Sequence, residues 1–354
     1  MTQAPVYATR EDVMRALDTK LTARNAAQID RQLQAASRDV DKLCHRRFYP
    51  EQATRYFDWP SSQYGTAWRL WLDDSELISV TAISSGGTTI STSDILLEPN
   101  RSGPPYSRLE LNIGSDAAFG GGDTHQRDIT VTGLWGYTND ESTAGALAAA
   151  VSSTTAATIS VNAEASAALG VGSVLRVDDE RMLVTGRSMA YTGQTLATAL
   201  DAQAKTVTVE VADGSGYEVD EVILIDGERM LVVDIAANNL IVKRAWDGST
   251  LAAHTQFTAI YAARSLTVTR GALGTTAATH ADATAVVRWE PPALVRDLVI
   301  AEAISGLISE TSGYTRAVRS GEGSSERNRD TGALGSLRQS VYDAVGRKAR
   351  MRSV

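Results

Sequence analysis

The spacing of apolar residues changes along the chain, and each change predicts a different kind of element. Ile29, Leu33, Ala36, Val40 and Leu43 recur every three or four residues, which places them on one face of a helix over 22–45. The opposite face carries Arg31, Gln34, Arg38, Asp39 and Lys42. A shorter helix over 10–18 is opened by Thr9, with Asp12 three residues later in capping-box spacing. From 53 to 137 the period falls to two, as in Trp68, Leu70 and Leu72 or Leu109 and Leu111, with glycine, proline and asparagine between the runs. That pattern predicts a small antiparallel sheet. Residues 138–155 are mostly small and polar and read as a linker or a surface helix.

Period-two alternation returns over 156–289, and there it repeats. Thr158-Ile159-Ser160-Val161 matches Thr206-Val207-Thr208-Val209. The segment from Val174 to Val184 falls on Val222 to Val232 at the same 48-residue offset. A second element, Leu240 to His254, recurs as Leu266 to His280 at an offset of 26. The order is first half, first half, second half, second half, which predicts one β module (inner copy about 204–263) nested inside another. A lone pair of strands cannot bury its apolar face, so the outer halves must close on each other. A short stacked array is the alternative pairing.

Beyond Trp289, Pro291-Pro292 opens a helix over 292–312 with Leu294, Leu298, Ala301, Ile304 and Ile308 on its core face. Residues 314–335 are Gly, Ser, Arg and Glu, too polar to order themselves by burial, and are expected to be flexible. A last helix is expected over 336–350. The predicted fold class is α+β: a helical bundle with a small antiparallel sheet (1–137 with 290–354), split by an inserted all-β domain (156–289) of two related modules.

Composition narrows the chemistry. Cys44 is the single cysteine, which excludes an intrachain disulfide and a cysteine-based zinc site. No apolar run is long enough to span a bilayer, and the N-terminal Met-Thr-Gln-Ala-Pro lacks the pattern of a secretory signal. The formal charge is −8, and only residues 290–354 are net basic. His254 and His280 hold equivalent repeat positions, where a structural role is expected. Asp73-Asp74-x-Glu76 and Asp178-Asp179-Glu180 could attract a divalent cation, but the second copy reads Asp226-Gly227-Glu228 and loses a carboxylate. Phe119-Gly120-Gly121-Gly122-Asp123 lacks the lysine of a phosphate loop and reads as a mobile turn. No serine occupies a nucleophile elbow. No catalytic residue, cofactor or metal ligand is assigned, and an enzyme is not expected.

The stretch Ile29 to Pro50, ending Cys44-His45-Arg46-Arg47-Phe48-Tyr49-Pro50, resembles the head–tail connector (adaptor, or head-completion) proteins of long-tailed bacteriophages. So does the order in which it is followed by Val131-Thr132-Gly133-Leu134-Trp135-Gly136-Tyr137 and then by a Pro-Pro helix. The modules are similar to a small β add-on of phage virion proteins, on Asp226-Gly227-Glu228-x-Met230-x-Val232 and Val268-x-Arg270-Gly271-x-x-Gly274-Thr275; Arg244-Ala245 departs from the Arg-Gly pattern.

The resemblance implies a virion protein assembled in the host cytoplasm into a ring, typically of twelve copies, under the portal. Such a ring extends the DNA channel without sequence-specific binding and docks a neck or tail-completion protein. The acidic balance suits a channel wall that must not hold duplex DNA. By the same resemblance the C-terminal segment meets the portal, with Leu337, Arg338, Val341, Val345, Arg347, Lys348, Arg350 and Arg352 as candidates. Arg31, Arg38 and Lys42 are candidates for a subunit contact. The rival reading is a virion-associated binding protein whose β domain recognises a capsid, tail or host-surface partner; exposed aromatics on the modules would favour it.

Overall fold

A computed structural model describes residues 4–17, 23–60, 66–101, 103–311 and 331–347. Its elements run α1 (Arg10–Leu17), α2 (Ala23–Cys44), β1 (Glu51–Phe57), β2 (Arg69–Trp71), β3 (Leu77–Ser85), β4 (Thr88–Ile90), β5 (Ile95–Glu98), β6 (Arg108–Leu111), β7 (Ile129–Trp135) and β8 (Glu141–Ala146). There follow β9 (Thr158–Ser160), α3 (Ala163–Ala168), β10 (Val174–Val177), β11 (Glu180–Thr195), β12 (Thr208–Glu210), β13 (Val222–Ile225), β14 (Glu228–Ala236), β15 (Asn239–Lys243), β16 (Ala259–Thr269), β17 (Ala285–Trp289), α4 (Ala293–Thr311) and α5 (Thr331–Val345). Contacts divide the chain into two compact units, 1–40 with 141–338 and 41–140 with 339–354. One boundary, at 140/141, falls within the expected linker, and the other two fall inside α2 and α5.

The first unit is built on a ten-stranded antiparallel sheet, β12-β15-β14-β13-β16-β11-β10-β17-β8, with β9 also pairing β16. The expected helical bundle with a small sheet is therefore wrong: the chain is mostly β, with five α-helices among the described residues. Of the apolar stripe expected on α2, Ile29, Leu33, Ala36 and Val40 are buried and Leu43 is half-buried. A stripe states that a helix has one covered face, not what covers it; Leu33 shares a small cavity with Val171, Leu183 and Val184 of the β module.

Pairing within this sheet is nested. The late half of β16 pairs with β11 (Val184↔Val268) and with β9 (Ile159↔Leu266), whereas β15 pairs with β12 (Val209↔Leu240) and β14 (Val232↔Val242). Two separate cores result. One holds Ile159, Leu175, Val177, Met182, Val184, Leu266 and Val286, and the other holds Val209, Ile223, Ile225, Met230, Val232, Leu240 and Ile260. Each module turns a two-residue hairpin at a left-handed aspartate, Asp178 (φ 50°) and Asp226 (φ 49°).

The structure corrects the repeat in two places. The matched backbone bonds Val268 N–H to Ala157 O and Val242 N–H to Val207 O set the early offset at 50 residues, not 48. The difference is absorbed by the next turn, where the outer copy has the six-residue α3, capped by Asn162, and the inner copy a three-residue 3-10 turn capped by Asp213. The supposed linker is also structure. β8 pairs with β17 from Glu141↔Trp289 to Ala285↔Ala146, and Ala144, Leu147 and Val151 are buried in the outer core. Its strand carries small residues because α3 packs on it: a Cβ at Gly145 would lie 2.4 Å from Asn162 Oδ1.

The second unit stacks the sheet β1-β7-β3-β4 on the sheet β2-β6-β5 over one core of Leu70, Leu77, Ile83, Leu109, Ile129, Val131 and Trp135. The glycine-rich turn is held rather than loose. Ser85 Oγ accepts from Gly120 N–H at 2.9 Å, and a Cβ at Gly86 would lie 2.1 Å from the Gly121 carbonyl carbon. None of the described helices is long and apolar enough to cross a membrane.

Candidate functional site

The densest chemistry in the chain is a buried cluster made twice. In the outer module Glu180, wholly buried at the start of β11, accepts from Arg270 Nε and Nη2 at 2.7 Å each. It also accepts from Gly271 N–H at 2.8 Å and Ala278 N–H at 2.9 Å, and His280 Nε2 lies 2.9 Å from Oε2. His280 Nδ1 reaches Asp178 Oδ2 at 2.8 Å. In the inner module Glu228 takes Arg244 Nε and Nη2 at 2.7 Å, Ala245 N–H at 2.9 Å, Ala252 N–H at 3.1 Å and His254 Nε2 at 3.0 Å. There His254 Nδ1 lies 2.8 Å from Asp226 Oδ2.

Why these residues meet follows from the topology. The hairpin aspartate and the glutamate two residues on lie at one end of β10–β11 or β13–β14. The arginine ends the strand paired alongside, and the histidine closes the loop that returns to it. Burial of Glu180 and Glu228 opposes ionisation, but the arginine, histidine and amide donors outweigh it and hold both carboxyls down at about 2. Arg270 and Arg244 spend their remaining N–H groups on carbonyls: Ser153, Ala156 and Ala278 in one copy, Asp201, Thr206 and Ala252 in the other.

Each carboxylate therefore faces five donors. What the arrangement does is fasten a loop, not open a reaction site. The fastened turn needs left-handed backbone, which Gly271 (φ 57°) supplies easily and Ala245 (φ 52°) adopts nonetheless. The departure from Arg-Gly thus leaves the turn intact. Sequence reasoning assigned the histidines a structural place but missed the glutamates and arginines. The signal was present, because Glu, Arg and His recur in both copies at the module offsets.

The acidic clusters are engaged by cations of the chain. Asp74 pairs with Arg347 at 2.9 Å and Glu76 with Arg46 at 3.3 Å. Among the described residues no group of three His, Cys, Asp or Glu side chains could hold a metal ion.

Arg31 bonds Glu310 at 2.5 Å, Arg38 donates to the Pro5 carbonyl at 2.7 Å, and Lys42 is exposed. At the other end Arg338 binds Glu302 at 2.7 Å, and burial still pushes the Glu302 carboxyl up despite that bond. Val341 is fully buried. Leu337 and Val345 are half-buried, and the Arg347 N–H donates to the Cys44 carbonyl. Lys348, Arg350 and Arg352 lie outside the described residues, as does nearly all of 314–335.

The residues that carry the connector resemblance do converge, in the second unit. Phe48 meets Tyr137 edge-on at 5.4 Å, and the Arg46 guanidinium lies 4.6 Å from the centre of the same ring. Gly136, at φ 140°, passes so close to Tyr49 that a Cβ would sit 2.4 Å from its carbonyl oxygen. Comparison with protein-family models, with curated proteins and with solved structures gives no match to this chain.

Proposed function

We propose that the chain is a structural virion protein, a head-to-tail adaptor whose copies form a ring beneath the portal, dodecameric in the sense the resemblance implies. The ring continues the DNA channel and docks neck or tail-completion proteins. The observation that carries this reading is the convergence of its two sequence motifs. Cys44 to Tyr49 and Trp135 to Tyr137 are about ninety residues apart, yet they build one cluster through Arg46, Phe48 and Tyr137. A motif pair that meets in space is what one shared fold element would give, and this supports the reading. Saturation of the buried glutamates argues for a scaffold role of the modules over catalysis. Negative-stain microscopy of the purified chain tests the reading: rings with a central channel support it, and a monomer at every concentration defeats it.

One observation favours the rival reading, a virion-associated binding protein. Tyr191 and Tyr261 sit opposite each other on adjacent strands, 5.7 Å between ring centres, and both are exposed, as is Phe257. Such rings offer a stacking platform to a capsid, tail or host-surface partner. Substituting both tyrosines by serine and measuring binding to host cells tests the host-surface form of that reading, since an adaptor has no host-surface contact to lose.

A further inference from the structure

Because the two modules share a fold, each is a control for the other, and they differ in what lies on one face. In the outer module that face is Val171, Val174, Leu183 and Thr185. It is covered by Val6 and by α2 through Asp30, Leu33 and Gln34, and only about 60 Å³ is left between them. The fit is close: Gly172 has no Cβ where one would lie 2.5 Å from Val6 Cγ2, Arg10 N–H donates to the Val171 carbonyl, and Val171 N–H donates to Glu11. The equivalent inner residues are Val219, Val222, Leu231 and Val233, fixed by the matched bonds Gly172 N–H to Val184 O and Asp220 N–H to Val232 O.

On the inner copy two positions of this face are exposed, while Val222 is half-buried and Leu231 is buried. Val219 is 40% exposed against 8% for Val171, and Val233 is 46% exposed where the outer copy has a half-buried threonine. An exposed residue that is more apolar than its covered twin is the reverse of what solvent favours. Beside the patch a cavity of about 380 Å³ is lined by Val222, Arg229, Leu231 and Trp246 together with Met14 and Arg15 of α1.

A second unmatched surface lies on α4. Its covered side is Val295, Leu298, Val299 and Ala303, but Leu294 and Ile308 are 40% and 51% exposed, and Ala301 and Ile304 between them are half-buried. These four share a stripe at helical spacing, so the helix is apolar on more than the side its own unit covers. The outer module shows that this β face takes a helix with an apolar stripe.

We infer that the inner module's face, centred on Val219 and Val233, docks the Leu294–Ile308 stripe of α4 from a second copy of the chain. The two surfaces differ, so the contact is heterologous, and repetition of a heterologous contact closes a ring when its rotation permits. The inference rests on the ring proposed above and supplies its subunit contact.

Two kinds of variant test it, each carrying the native Cys44, which is buried. Val233→Asp and Ile308→Asp alter exposed positions; each should leave the thermal melt unchanged and weaken self-association by at least about tenfold in sedimentation velocity. A Val233→Cys chain mixed with an Ile308→Cys chain should give a disulfide-linked dimer on mild oxidation, and neither chain alone should. A wild-type chain that stays monomeric overturns both the ring and this contact. Wild-type oligomers that survive both aspartate variants, with no cross-link on mixing, overturn the contact and leave the ring standing.

Discussion

Replacing Glu228 by glutamine should remove both stability and its pH dependence from the inner module. The carboxylate is wholly buried and bonded to Arg244, whose own side chain is 2% exposed, so the change leaves a buried guanidinium facing a neutral amide. Breaking one side of such a pair costs about 3–5 kcal/mol. An independent estimate comes from linkage. The folded-state value of about 2, set against an ordinary 4.5, corresponds to about 3 kcal/mol at neutral pH. Because the folded value is the lower one, this stability is fully present above pH ~4.5 and is lost as pH falls toward 2. By pH 3 about 2 kcal/mol of it should be gone in the wild type, while the variant lacks that component at either pH. Urea unfolding at pH 7 and pH 3, with hydrogen exchange read over 222–254, measures both quantities. A variant within about 1 kcal/mol of wild type at pH 7, or an equal acid loss in both chains, would refute the argument that the glutamate is the fastener.

Other expectations follow from single features. Joining Ser188 to Ser265, a paired position of β11 and β16, through a two-residue Asn-Gly turn in place of 189–264 should leave the outer module folded; loss of its β signal in circular dichroism would contradict nesting. Leu33→Ala, at a position 1% exposed, should cost about 2–5 kcal/mol in a denaturant titration, and an unchanged midpoint would mean α2 is not held by the β module. Gly136→Ala should destabilise the second unit by at least about 2 kcal/mol, since the left-handed backbone and the Tyr49 carbonyl both oppose a Cβ. Arg347→Ala, whose partner Asp74 is fully exposed, should change stability by less than about 1 kcal/mol.

Much of the β architecture could be read from the chain because hairpins and half-buried strands leave local marks. Asp226-Gly227 fixed one turn, and the repeat order fixed which distant strands must close on each other. What stayed hidden was non-local. β8 has alanine and threonine where a strand usually shows large apolar groups, because α3 lies against it and leaves no room. The two-residue change of offset lies in a turn, where no period marks it. The stripe of α2 was legible, but its partner was a sheet distant in sequence. The buried Glu–Arg–His clusters look like ordinary charged surface one residue at a time, and only comparison of the copies distinguishes them. The exposed Val219 carries no sequence signal either, since its covered twin Val171 is also a valine.

The central claim is a ring, and direct imaging of the purified full-length chain by electron microscopy, with mass measured on the same sample, tests it most directly. Closed rings of a single stoichiometry around an open channel are predicted. Monomers alone, or open filaments in place of closed rings, would contradict it.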